Sequence, residues 1–314
     1  MKRVCGLLGL MLIAVFFLVG CGSDAKRANS DSKITVYTSF YPMYDFTKKV
    51  GGDRVNVVNL VPPGMEPHDW EPAPTDIANL DKANMLVYSG AGMEHWVDKV
   101  VKSLKNDKLI LVEASKGVTL LQGHDEDHHT HKPGESHSDH EAVDPHVWLD
   151  PMNAKKQMEA IKNGLAQADP KNADYYEANY KKYAMEFDQL DKEFKETLNP
   201  LSRKEIIVSH QAFSYLAGAY GLTQESIRGI SPDEEPDPAR MTEIIRFAKE
   251  RDVKVIFFEE MVSPKIAETI AKETGAQVMV LSPLENLTDE QVKAGDDYFS
   301  VMRRNLAALK AALE

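Results

Sequence analysis

Short runs rich in β-branched and aromatic residues recur along this chain, and stretches with helical spacing separate them. The first set is ITVYTSF (34–40), VNVVNLV (55–61), MLVYSG (85–90) and KLILVEA (108–114). The second is EIIVS (205–209), LTQESIRGI (222–230), KVIFFEE (254–260) and QVMVLS (277–282), with helices expected from about Ala212, from Pro238 to Arg251 and from about Pro264. Strands that alternate with helices build largely parallel sheets covered by those helices, which implies an α/β architecture. Between the two sets lies a segment of another kind. Tyr176, Tyr180, Tyr183, Phe187, Leu190, Phe194 and Leu198 recur every three or four residues and form one helical stripe. Asp169 is placed to cap it, Pro170 suits its first position, and no further proline occurs before Pro200. At 1.5 Å per residue such a helix reaches about 40 Å, the width of a domain pair. The expected fold is therefore two α/β lobes with mostly parallel sheets, joined by one long rigid helix. The expected boundaries are 33–169, 170–199 and 200–314. A coiled-coil dimer would also use such a stripe, but this one lasts only about three heptads and is flanked by strands.

The amino-terminal residues belong to no lobe. MKRVCGLLGLMLIAVFFLVGC begins with Lys2 and Arg3, continues as an apolar run, and ends at Cys21. A basic start and an apolar run too short for a comfortable membrane span read as a secretory signal, here residues 1–20. Leu18-Val19-Gly20-Cys21 resembles the bacterial lipobox, which implies that Cys21 carries lipid, with a flexible polar tether over 21–32. The expected location is the extracytoplasmic face of the cell membrane. Cys5 would leave with the signal and Cys21 would be consumed by lipid, so a metal site must draw on histidine and carboxylate. The chain holds 49 acidic residues against 37 basic ones, a net charge of −12. Loss of Lys2 and Arg3 makes it more negative still, which disfavours nucleic acid and favours cations.

Six of the ten histidines fall between residues 124 and 140, in HDEDHHTHKPGESHSDH. His124, His128, His129, His131, His137 and His140 lie among acids, with Pro133 and Gly134 to interrupt any helix. The composition suits weak, shifting capture of metal ions, while a solvated insertion is the plainer alternative. Three of the other histidines share one kind of position. His68 follows the run 55–61 after a Pro-Pro-Gly turn, His210 follows 205–209 at once, and His146 sits between prolines that favour an extended backbone. Groups at the carboxyl ends of strands line the cleft of open α/β sheets, so histidines of both lobes can face one metal. Each alone would be an ordinary hydrogen-bonded histidine; the three together point to a metal in the interlobe cleft. A closed site needs a fourth donor. Glu285, just beyond 277–282, is preferred, with Glu259 and Glu260 as competitors that can also be read as a strand-end pair answering Lys or Arg, or capping the next helix. His95 is expected on the surface, in a helix beginning near Gly92.

The motifs FYPMYDFT (40–47), EPHDWEP (66–72), DPHVWLDP (144–151), SHQAFSYLAGAYGL (209–222), the Ile230-Ser231-Pro232 segment, FFEEMVSPK (257–265) and LSPLENLT (281–288) carry a family resemblance. Together they resemble the metal-binding lipoproteins of bacterial ABC importers, the cluster A-I substrate-binding proteins, and within them the zinc branch of ZnuA and AdcA type. The resemblance implies zinc ligands at His68, His146, His210 and Glu285, Zn²⁺ as the transported ligand, and an ABC permease with its ATPase as partner. A monomer is expected. It also implies a histidine-rich loop before the second histidine ligand. Manganese-importing relatives are said by the same resemblance to place a carboxylate where this chain has His210. Three imidazoles and one carboxylate suit Zn²⁺ better than Mn²⁺. A manganese importer of the same fold is the alternative, and a secreted zinc hydrolase is disfavoured because the chain lacks HExxH and an obvious place for an activated water.

Overall fold

The structure, a computed structural model, describes residues 33–123, 143–233 and 236–314. The signal, Cys21 and its tether, and the six histidines from His124 to His140 lie outside the described residues. The first lobe runs β1 (Ile34–Thr38), α1 (Tyr41–Gly51), β2 (Val55–Asn59), α2 (Pro74–Leu80), β3 (Met85–Tyr88), α3 (Val97–Ser103) and β4 (Ile110–Glu113). Two helices follow, α4 (Pro151–Ala168) and α5 (Ala173–Leu198). The second lobe runs β5 (Glu205–Val208), α6 (Ser214–Tyr220), β6 (Thr223–Ser226), α7 (Pro238–Glu250), β7 (Val255–Phe258), α8 (Lys265–Thr274), β8 (Gln277–Val280), α9 (Asp289–Ala294) and α10 (Tyr298–Leu313).

Each lobe has one four-stranded sheet, ordered β2-β1-β3-β4 in the first and β6-β5-β7-β8 in the second. Every strand pair is parallel. The strands are shorter than the apolar runs that announced them. Past Asn59 the chain still donates from Leu60 to Thr38 O at 2.8 Å and from Val61 to Ser39 O at 3.2 Å before it leaves the sheet. The apolar residues beyond the ladder thus serve the strand ends, where the cleft lies.

The long helix departs from expectation at its start. Pro170–Asn172 form a 3-10 turn and the α-helix begins at Ala173. Asp169 does not cap the backbone with its side chain; its Oδ2 accepts from Asn172 Nδ2 at 2.6 Å and from the Tyr176 hydroxyl at 2.8 Å. Once that carboxylate is engaged by side chains, the first turn closes through the tighter backbone bond from Asn172 to Asp169 O. The stripe itself is inward: Tyr176, Phe187, Leu190, Phe194 and Leu198 are buried, and Tyr180 and Tyr183 are half-buried against the same core.

Helices α4 and α10 lie beyond what the sequence reading anticipated. α4 starts on a cap, with Asp150 accepting from Met152 N at 2.9 Å and Pro151 in its first turn. Its buried face mixes Met158, Ile161 and Leu165 with Gln157 and Gly164, which blurs the apolar period. Gly164 is there for close approach: a Cβ would meet Val112 Cγ2 at 2.4 Å. By contrast α10 carries a legible stripe of Tyr298, Val301, Met302, Leu306, Leu309 and Leu313.

One hydrophobic core includes residues of both sheets and of α1, α4, α5 and α10. Its centre is aromatic. Phe46 of α1 meets Phe187 of α5 at 5.8 Å and Tyr298 of α10 at 5.1 Å between ring centroids, and Phe187 meets Phe299 at 4.8 Å. Buried polar bonds fix the register between the lobes: Tyr298 donates to Trp148 O at 2.7 Å, Trp148 Nε1 to Pro283 O at 2.9 Å, and Tyr215 to Asp144 O at 2.9 Å. Lys49 bridges Asp45 and Asp297 at 2.6 and 2.9 Å beneath the same surface. Because a single core spans both sheets, urea unfolding followed by far-UV circular dichroism and by tryptophan fluorescence is expected to show one coincident transition. Phe187→Ala should shift it by about 3–5 kcal/mol, the cost of removing a buried phenyl ring.

Candidate metal centre

His68, His146, His210 and Glu285 come together in one buried group, the group of metal-donor type found among the described residues. His68 sits on the loop after β2 and Glu285 on the segment after β8. His210 lies two residues beyond β5, and His146 precedes a 3-10 turn over Val147–Leu149. Contrary to the extended backbone expected there, His146 adopts φ −79° and ψ 42°. Val147 N bonds back to Pro145 O at 2.8 Å and Leu149 N to His146 O at 3.2 Å, so the chain turns as soon as Pro145 is passed.

The donors face one point. Nε2 of His68, His146 and His210 lies 3.3, 3.1 and 3.3 Å from Oε1 of Glu285. Nε2 of His146 is also 3.3 Å from that of His68 and 3.2 Å from that of His210. Five of the six donor–donor distances are thus 3.1–3.3 Å, and all four atoms lie within 4.8 Å of one another. A regular tetrahedron with edges of about 3.3 Å has its centre about 2.0 Å from each corner, the bond length zinc makes to imidazole and carboxylate. The other carboxylate oxygen, Glu285 Oε2, is buried without a hydrogen-bond partner. His146, His210 and Glu285 are fully buried and His68 is 7% exposed.

Two rings are oriented by carboxylates that the sequence reading did not assign to them. Asp144 Oδ1 accepts from His146 N at 3.0 Å and pairs with His146 Nδ1 at 2.9 Å. Glu259 Oε1 grips His210 in the same way, from its backbone N at 3.2 Å and at Nδ1 at 2.7 Å. A hydrogen bond from Nδ1–H leaves the Nε2 lone pair free for a metal. Glu259 therefore answers a histidine, not Lys or Arg, and stands behind the cluster. Glu260 accepts from Gln291 Nε2 at 3.1 Å. Only the DPH spacing hinted at Asp144; Glu259 is 49 residues from its partner.

Glu285 is held by a clamped turn. Ser282 N donates to Asn305 Oδ1 at 2.9 Å and Asn305 Nδ2 to Ser282 O at 2.7 Å, while Leu284 takes a left-handed φ of 55°. Such a conformation is strained for leucine and persists only where its surroundings fix it. His95 is exposed, but the helix begins at Val97 and not near Gly92. Gly90, Ala91 and Gly92 all have positive φ, which no α-helix accommodates. Glu94 meanwhile folds back to take Ser89 N, Gly90 N and the Ser39 hydroxyl, and burial pushes its carboxyl up to about 7.

The same contacts set the charge balance of the site. Burial drives the imidazole of His210 down from its ordinary 6.5, but Glu259 and Glu285 outweigh it and leave the group well above that value. His146 is raised in the same sense, burial being overcome by hydrogen bonds to Asp144 and Glu285. Burial pushes Glu285 up, yet the three imidazoles hold it well below the usual carboxylate range. At the edge of the group Glu66 is pushed up to about 8 by burial and by the charge of Glu285. The site thus attracts positive charge, and protons supply it when no metal does.

The chain matches the family described as zinc-uptake complex component A, periplasmic (ZnuA), over residues 36–312. It is 44% identical over 310 residues to the high-affinity zinc uptake system protein ZnuA of Bacillus subtilis, covering 97% of each. It is 41% identical over 310 residues to the zinc-binding lipoprotein AdcA of Streptococcus pneumoniae, covering 99% of this chain and 61% of that longer protein. The crystal structure of the Zn(II)-bound ZnuA-like domain of that AdcA superposes with a TM-score of 0.77 at 39% identity, over 90% of this chain and 99% of that one. The chain therefore belongs to the ZnuA family of zinc-uptake components.

Nuclear magnetic resonance titration of the metal-free protein should place His146 and His210 above 6.5. In Glu259→Gln the His210 value should fall, because the downward push of burial then loses its main opponent. A His210 that titrates at or below 6.5 in the unaltered protein would show that burial wins.

Proposed function

We propose that this chain is the extracytoplasmic solute-binding protein of a zinc ABC import system, which captures Zn²⁺ with His68, His146, His210 and Glu285 and delivers it to a permease with its ATPase. The observation that carries the reading is the convergence of three Nε2 atoms on one carboxylate oxygen at 3.1–3.3 Å, with donor types and spacing that suit tetrahedral zinc. Family membership supports the same cargo and the same kind of partner. Four protein donors close a tetrahedral site and leave no open position for an activated water, so the arrangement serves binding and release, not hydrolysis. Manganese, which favours carboxylate and water, finds three imidazoles here.

In this reading Cys21 anchors the protein to the membrane on its outer face, the mature protein acts as a monomer, and the negative net charge disfavours nucleic acid as a partner. The histidines between His124 and His140 collect further ions weakly. Around that segment an antiparallel bridge joins Gln122 and Val143, and Asp144 N donates to Leu121 O at 3.0 Å, three residues from Val147 and the turn that bears His146.

Protein purified without added metal should hold a single zinc, by elemental analysis, that excess manganese does not displace. His146→Ala and His210→Ala should weaken zinc binding by more than the roughly 10- to 100-fold typical of losing an outer-shell partner. Unchanged zinc affinity in His210→Ala would remove the argument for zinc over manganese.

The pH dependence follows from the raised imidazoles. Zinc needs neutral rings, and His146 and His210 hold their protons above 6.5 in the metal-free state. Affinity should therefore begin to fall while pH is still above 6.5 and keep falling below it. Glu285 is ionised throughout that window and contributes no proton. Calorimetry in buffers of different ionisation enthalpy would count the protons released. Separately, Cys21→Ala should release processed protein from the membrane, as cell fractionation would detect.

A further inference from the structure

Three of the four donors stand on parts of the fold that are fixed from behind: carboxylates grip His146 and His210, and Asn305 clamps the turn before Glu285. His68 is carried differently, its backbone N donating to Glu66 Oε1 at 3.1 Å on the same loop. After Val61 the chain forms a turn over Pro62–Met65 whose residues are all exposed, Met65 by 46%. Pro63 and Gly64 occupy its centre, Gly64 has a φ of 75°, and Met65 N donates to Pro62 O at 3.3 Å, the pattern of a type II turn.

This turn is held from across the cleft. Asn286 Nδ2 donates to Pro62 O at 2.6 Å and to Met65 O at 2.9 Å, so one amide group grips both ends of the turn. Its Oδ1 accepts from Leu287 N at 2.9 Å, and Leu287 O accepts from Gly64 N at 2.9 Å. Both loop atoms that face the amide are carbonyl oxygens, so only its NH₂ end can meet them. Asn286 is 4% exposed and adjoins Glu285 in sequence.

We propose that Asn286 is the positioning residue for His68: it latches the exposed 62–65 turn to the segment that carries Glu285, and zinc leaves when this latch opens and His68 swings away. The inference rests on the ligand set proposed above. Release requires some donor to withdraw first. His68 is the one donor with any exposure, and it lies three residues past the exposed turn, on the same loop. Because Glu285 and Asn286 are neighbours, whatever moves the Glu285 segment also moves the latch.

The test is a double-mutant cycle of Asn286→Asp and His68→Ala, read as zinc affinity by competition and as zinc release into excess chelating dye. A charge effect alone would make Asn286→Asp tighter, since it adds a negative charge near the cation. The latch predicts the reverse, because a carboxylate would face two carbonyl oxygens: affinity falls about 10- to 100-fold and release quickens. In the His68→Ala background the same change should cost nothing further, to within about two-fold. Unchanged or tighter binding in Asn286→Asp, or a loss repeated in full on His68→Ala, overturns the proposal. Should melting of the metal-free variant show that Asn286→Asp does not fold, Asn286→Ala deletes the donors without placing an acceptor there and must satisfy the same cycle. Failure of the ligand set is distinct: it appears as unchanged affinity in His68→Ala alone.

Discussion

Oxygen Oε1 of Glu285 lies within 3.3 Å of three imidazole nitrogens, and the rest of the molecule is arranged to make that meeting possible. The four side chains come from positions 68, 146, 210 and 285, all outside the strands and on segments of both lobes. A buried carboxylate among imidazoles is costly unless positive charge is shared with it, as protons or as a metal ion. That requirement accounts for the opposite displacements of the groups: Glu285 is driven to stay ionised and His210 to stay protonated, each against the pull of its own burial. A divalent cation satisfies the same demand more completely, because it bonds all four donors at once.

Such a site can be preformed only if the lobes cannot slide. Trp148 shows how this is achieved. Its ring packs edge-on against Phe40 of the first lobe at 4.8 Å, its indole N–H reaches Pro283 O of the second, and its own carbonyl accepts from Tyr298. It sits two residues from His146 and touches the turn that precedes Glu285, so packing and ligation are tied through one side chain. Ordering is then completed on folding and is not charged to the binding event. Rigidity also restricts how the cargo can leave: when the lobes share a core, release falls to a local element.

The two lobes solve the same problem in parallel. In each, a histidine is oriented by a carboxylate that takes both its backbone N–H and its Nδ1. The first lobe draws the carboxylate from two residues away and the second from the end of a neighbouring strand. Identical chemistry thus arises once from local sequence and once from sheet order.

That difference marks how far the sequence could be read. Period and composition are local properties, so the eight strands, the inward stripe of α5 and the strand-end placement of His68 and His210 were legible in it. The donor types were legible too, since both cysteines, Cys5 and Cys21, precede the first strand, which leaves imidazole and carboxylate as the donors within the lobes. Helix α4 was not, because its buried Gln157 and Gly164 answer to neighbours and not to a helical period. The 3-10 start of the long helix was hidden by a carboxylate that serves Tyr176 in place of the backbone. Above all, the sequence supplied candidates for the centre but no distances. The pairing of Glu259 with His210 across 49 residues, the grip of Asn286 on Pro62 across 224, and the meeting of four donors about one point were decided by tertiary structure. Side-chain direction and contact between distant segments depend on how two sheets pack around a common core, and no run of neighbouring residues encodes that packing.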